Sequence, residues 1–194
     1  KFTCLATVFL VCFIARNSKD PAKKQHWIFL VTNRHVFHDK NYVVLRFNTR
    51  DGKTKTFKQG LFFPNNDPRW LAHRNKKVDL ALLNISPAIL QQHSVDYKFL
   101  PEEIFAYSKN FKTIGIEVGD TVYILGFPLG LSGKVQNYPC VKWGIVSRKD
   151  KEIIKDAKAF LIDSSIFPGN SGGPVIYRPT ITHLGETIAV DKPY

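Results

Sequence analysis

Residues 163–174 read Asp163-Ser164-Ser165-Ile166-Phe167-Pro168-Gly169-Asn170-Ser171-Gly172-Gly173-Pro174. A serine between glycine-containing flanks, followed by a proline, suits neither a helix nor a regular strand and predicts a tight, shaped loop. Its glycines can adopt backbone angles closed to other residues, and the small neighbours leave the Ser171 hydroxyl uncovered. The stretch is either a Gly-rich turn between two strands or a loop that presents a nucleophile. The second interpretation needs a base elsewhere, because a serine hydroxyl is a weak nucleophile by itself.

A candidate base and its orienting group lie upstream of this loop. Val31-Thr32-Asn33-Arg34-His35-Val36 closes an apolar run, which predicts His35 just past a strand end, exposed yet firmly placed. Asp79 opens another apolar run, where a buried carboxylate needs a donor such as an imidazole N–H. Taken singly, His35 also fits a surface or core histidine, and Asp79 fits a cap or turn residue. Together with Ser171 they follow the chain order of chymotrypsin-type enzymes, which subtilisins and α/β-hydrolases do not share.

Five motifs occur in sequence along the chain. They are Thr32-Asn33-Arg34-His35-Val36, Val78-Asp79-Leu80-Ala81-Leu82-Leu83, the run from Val118 to Gly130, Gly144-Ile145-Val146-Ser147, and the run from Asp163 to Val175. In this order, from about residue 5 to about residue 177, they resemble the trypsin-like serine peptidases of the HtrA (Deg) type. The resemblance implies two six-stranded antiparallel β-barrels with the active site in the cleft between them.

The resemblance also implies a role for each candidate residue. His35 would be the general base, Asp79 its orienter and Ser171 the nucleophile of a serine endopeptidase. The backbone N–H groups of Gly169 and Ser171 would form the oxyanion hole. The family has a small Gly-rich step before its first strand, whereas this chain has Leu5-Ala6-Thr7-Val8. We expect that departure to touch no catalytic group.

The primary substrate pocket follows from the same resemblance. Ser165, Ile166 and Phe167 would line it, and Ser165 stands where an aspartate would attract lysine or arginine. The implied preference is for small or medium apolar residues. No metal and no organic cofactor are expected.

Short apolar runs separated by turn signals favour closed antiparallel barrels over a parallel sheet. The predicted strands are Trp27–Val31, Tyr42–Phe47, Lys55–Phe57, Asp79–Ile85, Thr121–Leu125, Cys140–Val146, Ala159–Ile162, Pro174–Tyr177 and Thr187–Val190. Helical turns are predicted at Pro87–Gln92 and Pro101–Phe105, because each starts with proline followed by helix formers. We expect an N-terminal barrel with His35, Asp79 and a linker (about 86–113) in residues 1–113, and a C-terminal barrel with Ser171 in residues 114–194.

The apolar segment at residues 2–14 resembles a signal-peptide core behind Lys1. It is too short to span a bilayer and lacks a small-x-small cleavage site, so the interpretation is a strand beside Trp27–Val31, joined to it by a polar loop at residues 16–24. No membrane span is expected.

Composition limits the compartment. The 194 residues are 44% apolar, enough for a substantial core. Cys4, Cys12 and Cys140 have no paired spacing, which argues against a disulfide framework and a zinc site. We expect the cytoplasm or another compartment that forms no disulfides, with the periplasm as the alternative. The absence of methionine suggests a piece of a longer chain.

The net charge of +12 supports alternatives from other classes. One is a basic module that binds nucleic acid or an acidic partner. Lysine and arginine recur along the whole chain without a nucleic-acid motif, which favours solvated faces. Another is a catalytically silent scaffold or sensor. The main interpretation remains an endopeptidase acting on protein or peptide substrates, with a regulatory protein partner or additional domains outside this chain.

Asn170 bears on regulation. In secreted trypsin-type zymogens an aspartate before the nucleophile pairs with a new α-amino group, and that ion pair orders the oxyanion loop. Asn170 carries no charge, so this charge-assisted contact is unavailable. We therefore expect loop order to depend on other loops, a partner or the substrate.

Overall fold

The computed structural model describes residues 6–16, 25–178, 181–184 and 187–190. These residues are mostly β. The strands are β1 (Phe9–Arg16), β2 (Gln25–Thr32), β3 (Tyr42–Asn48), β4 (Thr54–Gly60), β5 (Trp70–Ala72), β6 (Ala81–Asn84), β7 (Leu100–Pro101), β8 (Thr121–Gly126), β9 (Cys140–Arg148), β10 (Leu161–Asp163), β11 (Val175–Tyr177), β12 (Ile181–Leu184) and β13 (Thr187–Val190). The α-helices are α1 (Arg34–Phe37), α2 (Pro87–Gln92), α3 (Phe111–Ile114) and α4 (Lys151–Asp156).

The strands form four sheets within the described residues. Their orders are β5-β6-β2-β1-β7, β10-β9-β8-β11, β12-β13 and β3-β4. The predominance of β-structure is as expected, but two closed six-stranded barrels are not found in the described part of the chain. One edge strand, β7, is two residues long, runs parallel to β1 and contains Pro101, whose nitrogen has no hydrogen to donate. Such a strand ends the sheet, because Pro101 cannot donate the backbone hydrogen bond that a further strand would need.

Several predicted elements are confirmed and others need correction. Helix α2 covers Pro87–Gln92 as predicted. The strand expected from Asp79 starts at Ala81, so Asp79 stands before β6. At Pro101–Phe105 the chain forms the end of β7 and a 3-10 turn at Glu102–Ile104. Strands β5 and β12 and helix α4 were not predicted; α4 begins after Asp150, whose carboxylate accepts from two backbone N–H groups of its first turn.

The strand interpretation of the N-terminal apolar segment is confirmed for the residues that the structure describes. β1 pairs antiparallel with β2 from Phe9 to Arg16. Residues 1–5 and the loop at 17–24 lie outside the described residues. No helix in the described part of the chain is long and apolar enough to cross a membrane.

Two hydrophobic clusters organise the packing. The first contains the buried side chains Leu10, Ile28, Leu30, Phe37, Leu45, Leu61, Ala81, Leu83, Ile85, Leu90 and Val95. The second contains Phe111, Ile116, Val122, Ile124, Val146 and Tyr177. Alternation along β8 turns Val122 and Ile124 inward. The domain boundary at residues 113 and 114 stays a prediction.

A loop between β8 and β9 is attached to β3. The guanidinium of Arg46 donates to four acceptors in this loop, Ser132 Oγ, Asn137 Oδ1, Gly133 O and Lys134 O. The Asn137 side chain donates back to the Arg46 carbonyl. The loop is continuous with the 3-10 turn at Pro128–Gly130, so β3 anchors the chain that leads into the candidate site.

Candidate active site

His35 lies in α1, directly after β2, and is held by a single carboxylate. Its Nδ1 is 2.6 Å from Asp79 Oδ2, and its backbone N–H donates to Asp79 Oδ1 at 3.0 Å. Asn33 Nδ2 also donates to the Asp79 carbonyl at 2.7 Å. The residues at the end of β2 therefore fix both the side chain and the backbone of Asp79.

Asp79 is more exposed than its place before an apolar run suggested. Side-chain exposure is 58% for His35 and 44% for Asp79. Partial burial would raise the pKa of Asp79, but the hydrogen bonds from the His35 ring and backbone outweigh this, and the net pKa lies below its ordinary value. The carboxylate is thus kept ionised beside the imidazole.

The loop that carries Ser171 packs against the end of β2. Gly172 has φ +83°, and a Cβ there would clash with Thr32 Oγ1 and the Thr7 carbonyl oxygen. Only glycine fits this backbone and this close approach. Because Thr32 precedes His35 by three residues, the approach brings the Ser171 loop to the segment that positions His35.

Hydrogen bonds connect only two of the three predicted catalytic residues in the described part of the chain. His35 and Asp79 are connected directly, whereas no hydrogen bond links Ser171 to His35 among the described residues. Hydrogen bonds of this kind are often long in ligand-free enzymes and shorten when substrate binds. The catalytic roles stay a prediction.

The predicted oxyanion residues lie on a loop with anchored carbonyl groups. The Pro168 carbonyl accepts from the backbone N–H of Leu129 at 2.7 Å, and Leu129 itself has φ +52°. Gly169 has φ +98° and packs so closely against the Phe127 carbonyl that a Cβ would clash with it. Among the described residues, the N–H groups of Gly169 and Ser171 have no hydrogen-bond acceptor.

Thr7 touches this loop directly. Its N–H donates to the Ser171 carbonyl at 2.8 Å, and its hydroxyl donates to the Gly169 carbonyl at 2.7 Å. These contacts are to carbonyl groups of the loop, so the expectation that the Leu5–Val8 departure touches no catalytic group stays a prediction.

Asn170, between the two predicted oxyanion residues, is 5% exposed. Its Nδ2 is buried and has no hydrogen-bond partner among the described residues. A buried amide without an acceptor weakens the folded loop.

The predicted pocket residues Ser165, Ile166 and Phe167 are all exposed; Ile166 has an exposure of 50% and Phe167 of 44%. Lys142 on β9 places its Nζ 4.5 Å from the centroid of the Phe167 ring, in cation–π geometry. The strand pattern of β9 contained no signal that would have singled out Lys142.

A surface depression of about 510 Å³ adjoins the His–Asp pair. It is lined by Arg34, His35, His38, Asp39, Lys40 and Asp79. Its lining contains neither Ser171 nor the predicted pocket residues. The depression makes the paired imidazole accessible to a ligand, in surroundings with more basic than acidic groups.

A family model described as the trypsin-like peptidase domain matches residues 14–179. The matched range includes the His35, Asp79 and Ser171 positions. No curated protein gives a significant match to the chain.

Proposed function

Because the chain belongs to the trypsin-like peptidase domain family, we propose that it is a serine endopeptidase that cleaves protein or peptide substrates by acyl transfer. Family membership supports a serine protease in general. The observation that carries the specific proposal is the doubly hydrogen-bonded His35–Asp79 pair beside the Ser171 loop.

In the proposed reaction, Ser171 Oγ bonds to the scissile carbonyl carbon while His35 Nε2 takes the hydroxyl proton. The tetrahedral intermediate then breaks its C–N bond, and His35 gives that proton to the leaving amine. Water hydrolyses the remaining ester by the same steps, which restores the Ser171 hydroxyl. Asp79 keeps Nδ1 protonated and stabilises the imidazolium, so that Nε2 is the nitrogen that accepts.

The oxyanion would be bound by the N–H groups of Gly169 and Ser171. Their lack of acceptors among the described residues supports this role. Each such donor lowers the barrier by about 3–4 kcal/mol in serine proteases.

The finer parts of the proposal concern type and specificity. The five motifs support an HtrA-type enzyme. The apolar Ile166 and Phe167, with serine and no aspartate at position 165, support cleavage after small or medium apolar residues.

The proposal also covers regulation and compartment. The uncharged Asn170 supports control by loop order or by a regulatory partner, since the loop is held by contacts from Thr7 and Leu129. Cys12 and Cys140 are free thiols, which supports the cytoplasm or another compartment that forms no disulfides, with the periplasm as the alternative.

Covalent labelling with a fluorophosphonate tests the proposal. We expect the wild-type chain to be labelled at Ser171, Ser171→Ala to be unlabelled, and His35→Ala to be labelled far more slowly. No labelling of the wild type, or equal labelling of Ser171→Ala, would refute the enzyme and favour the scaffold. Binding of nucleic acid that weakens steeply with salt would favour the basic module instead.

A further inference from the structure

We propose that the Thr7 hydroxyl is a positioning group for the oxyanion loop, an inference that rests on the proposed function. It ties the Gly169 carbonyl to the turn at Phe127 and so fixes the peptide between the two predicted oxyanion donors. The residue acts through the loop and does not contact substrate.

The hydroxyl bridges two backbone groups. It donates to the Gly169 carbonyl at 2.7 Å and accepts from the Phe127 N–H at 3.0 Å. A threonine hydroxyl can donate one hydrogen bond, and here it donates that bond to the Gly169 carbonyl. Thr7 is only 4% exposed, so water does not readily replace this bridge.

The space around the hydroxyl is filled. A Cβ on Gly126 would lie 2.9 Å from Thr7 Oγ1 and 2.9 Å from Asn170 Oδ1. The hydroxyl is thus packed between Gly126, at the end of β8, and Asn170, which precedes the predicted nucleophile. This packing restricts the rotation of the Gly169–Asn170 peptide, on which the alignment of both donors depends.

The side chain has a role that the backbone of Thr7 cannot supply. The Thr7 N–H donates to the Ser171 carbonyl, and the Thr7 carbonyl accepts from Thr32 Oγ1 at 3.0 Å. Every residue type except proline has the backbone N–H and carbonyl groups that these two contacts need. Only serine or threonine can also connect the Gly169 carbonyl to the Phe127 N–H, which makes the inference testable by substitution.

Three substitutions at position 7 separate the effect of the hydroxyl from the effects of side-chain shape and of the backbone contacts. Thr7→Val keeps the shape and removes the hydroxyl, Thr7→Ser keeps the hydroxyl, and Thr7→Ala removes the hydroxyl in case valine prevents folding. For Thr7→Val we expect kcat on a peptide substrate to fall about 10- to 100-fold with KM within about threefold, because a misplaced donor acts on the transition state. Thr7→Ser should stay within about threefold of wild type in both constants. Equal kcat for Thr7→Val, Thr7→Ser and wild type would overturn the proposal.

A second readout needs no catalysis. Amide hydrogen exchange of residues 167–173 should be about tenfold faster in Thr7→Val or Thr7→Ala than in wild type, with Thr7→Ser close to wild type and the β8–β9 exchange unchanged in all. Unchanged exchange at residues 167–173 in both hydroxyl-free variants would refute the positioning role. If the wild type turns over no substrate, the proposed function fails, and exchange alone still decides whether Thr7 orders the loop.

Discussion

The carboxylate of Asp79 binds His35 twice, through the ring Nδ1 at 2.6 Å and through the backbone N–H at 3.0 Å. One contact sets the ring orientation and the other sets the position of its backbone. A single side chain thus determines where Nε2 points, although both residues are largely accessible to solvent. A neighbouring pair, His38 and Asp39, has a single contact at 2.7 Å and is still more exposed.

Replacing Asp79 by asparagine should lower kcat about 10⁴-fold, because the amide favours the wrong imidazole tautomer while preserving shape. The measurement is steady-state turnover of a peptide substrate at neutral pH. Asp156→Asn, at an exposed position at the end of α4, is the control and should leave kcat unchanged. A loss smaller than tenfold for Asp79→Asn would contradict the proposed role.

Cleavage of a peptide library should occur after small or medium apolar residues. An apolar pocket discriminates by only about 1–3 kcal/mol per methylene, so the preference should be moderate. Ile166→Ala should shift the preference towards larger apolar residues, because half of the Ile166 side chain is exposed at the predicted pocket. Cleavage mainly after lysine or arginine would be incompatible with this pocket.

Trimming the N-terminus should not activate the enzyme. Asn170 has no charge to pair with a new α-amino group, and the loop is held by Thr7 and Leu129. Chains with extended and with trimmed N-termini should turn over a peptide within about tenfold of each other, which is about 1.4 kcal/mol of barrier. A larger gain on trimming alone would show a zymogen-type switch.

Gly172→Ala should be markedly more destabilising than Gly115→Ala. Both glycines have φ +83°, but a Cβ on Gly115 has open space around it, whereas one on Gly172 meets Thr32 and Thr7. The backbone strain common to both is about 1–2 kcal/mol, and the clash adds about 1–3 kcal/mol at Gly172. Urea unfolding measures the difference. Equal losses would mean that the loop does not pack against β2 as described.

The Asp150→Asn variant should lose stability in a pH-dependent way. The hydrogen bonds from the Arg148 side chain and from the backbone at the start of α4 lower the pKa of Asp150 to about 2 from 3.8. A group with a lowered folded pKa stabilises above its unfolded pKa and loses that effect as pH falls through the folded one. In thermal unfolding at pH 6, the Tm of the wild type should therefore be higher than the Tm of Asp150→Asn. This difference in Tm should disappear between about pH 4 and pH 2. A gap independent of pH would contradict the charge-based account.

Local signals explain what could be predicted from the sequence. Proline followed by helix formers predicts α2 at Pro87–Gln92, and an apolar run before Asn33 predicts a strand that ends just before His35. The family match over residues 14–179 agrees with the trypsin-like motifs read from the chain. Each of these signals lies within a few consecutive residues, where backbone propensity and periodicity act.

Tertiary structure alone decided the features that depend on distant backbone groups. Thr7 meets Gly169 across 162 positions of sequence, and Leu129 offers an N–H to Pro168 from a left-handed turn. The parallel pairing of β7 with β1 and the open sheets also depend on contacts between segments that are distant in the sequence. Main-chain donors and acceptors are alike in nearly every residue, so the sequence determined which loop would display Ser171, while only the folded chain determined which groups hold that loop in place.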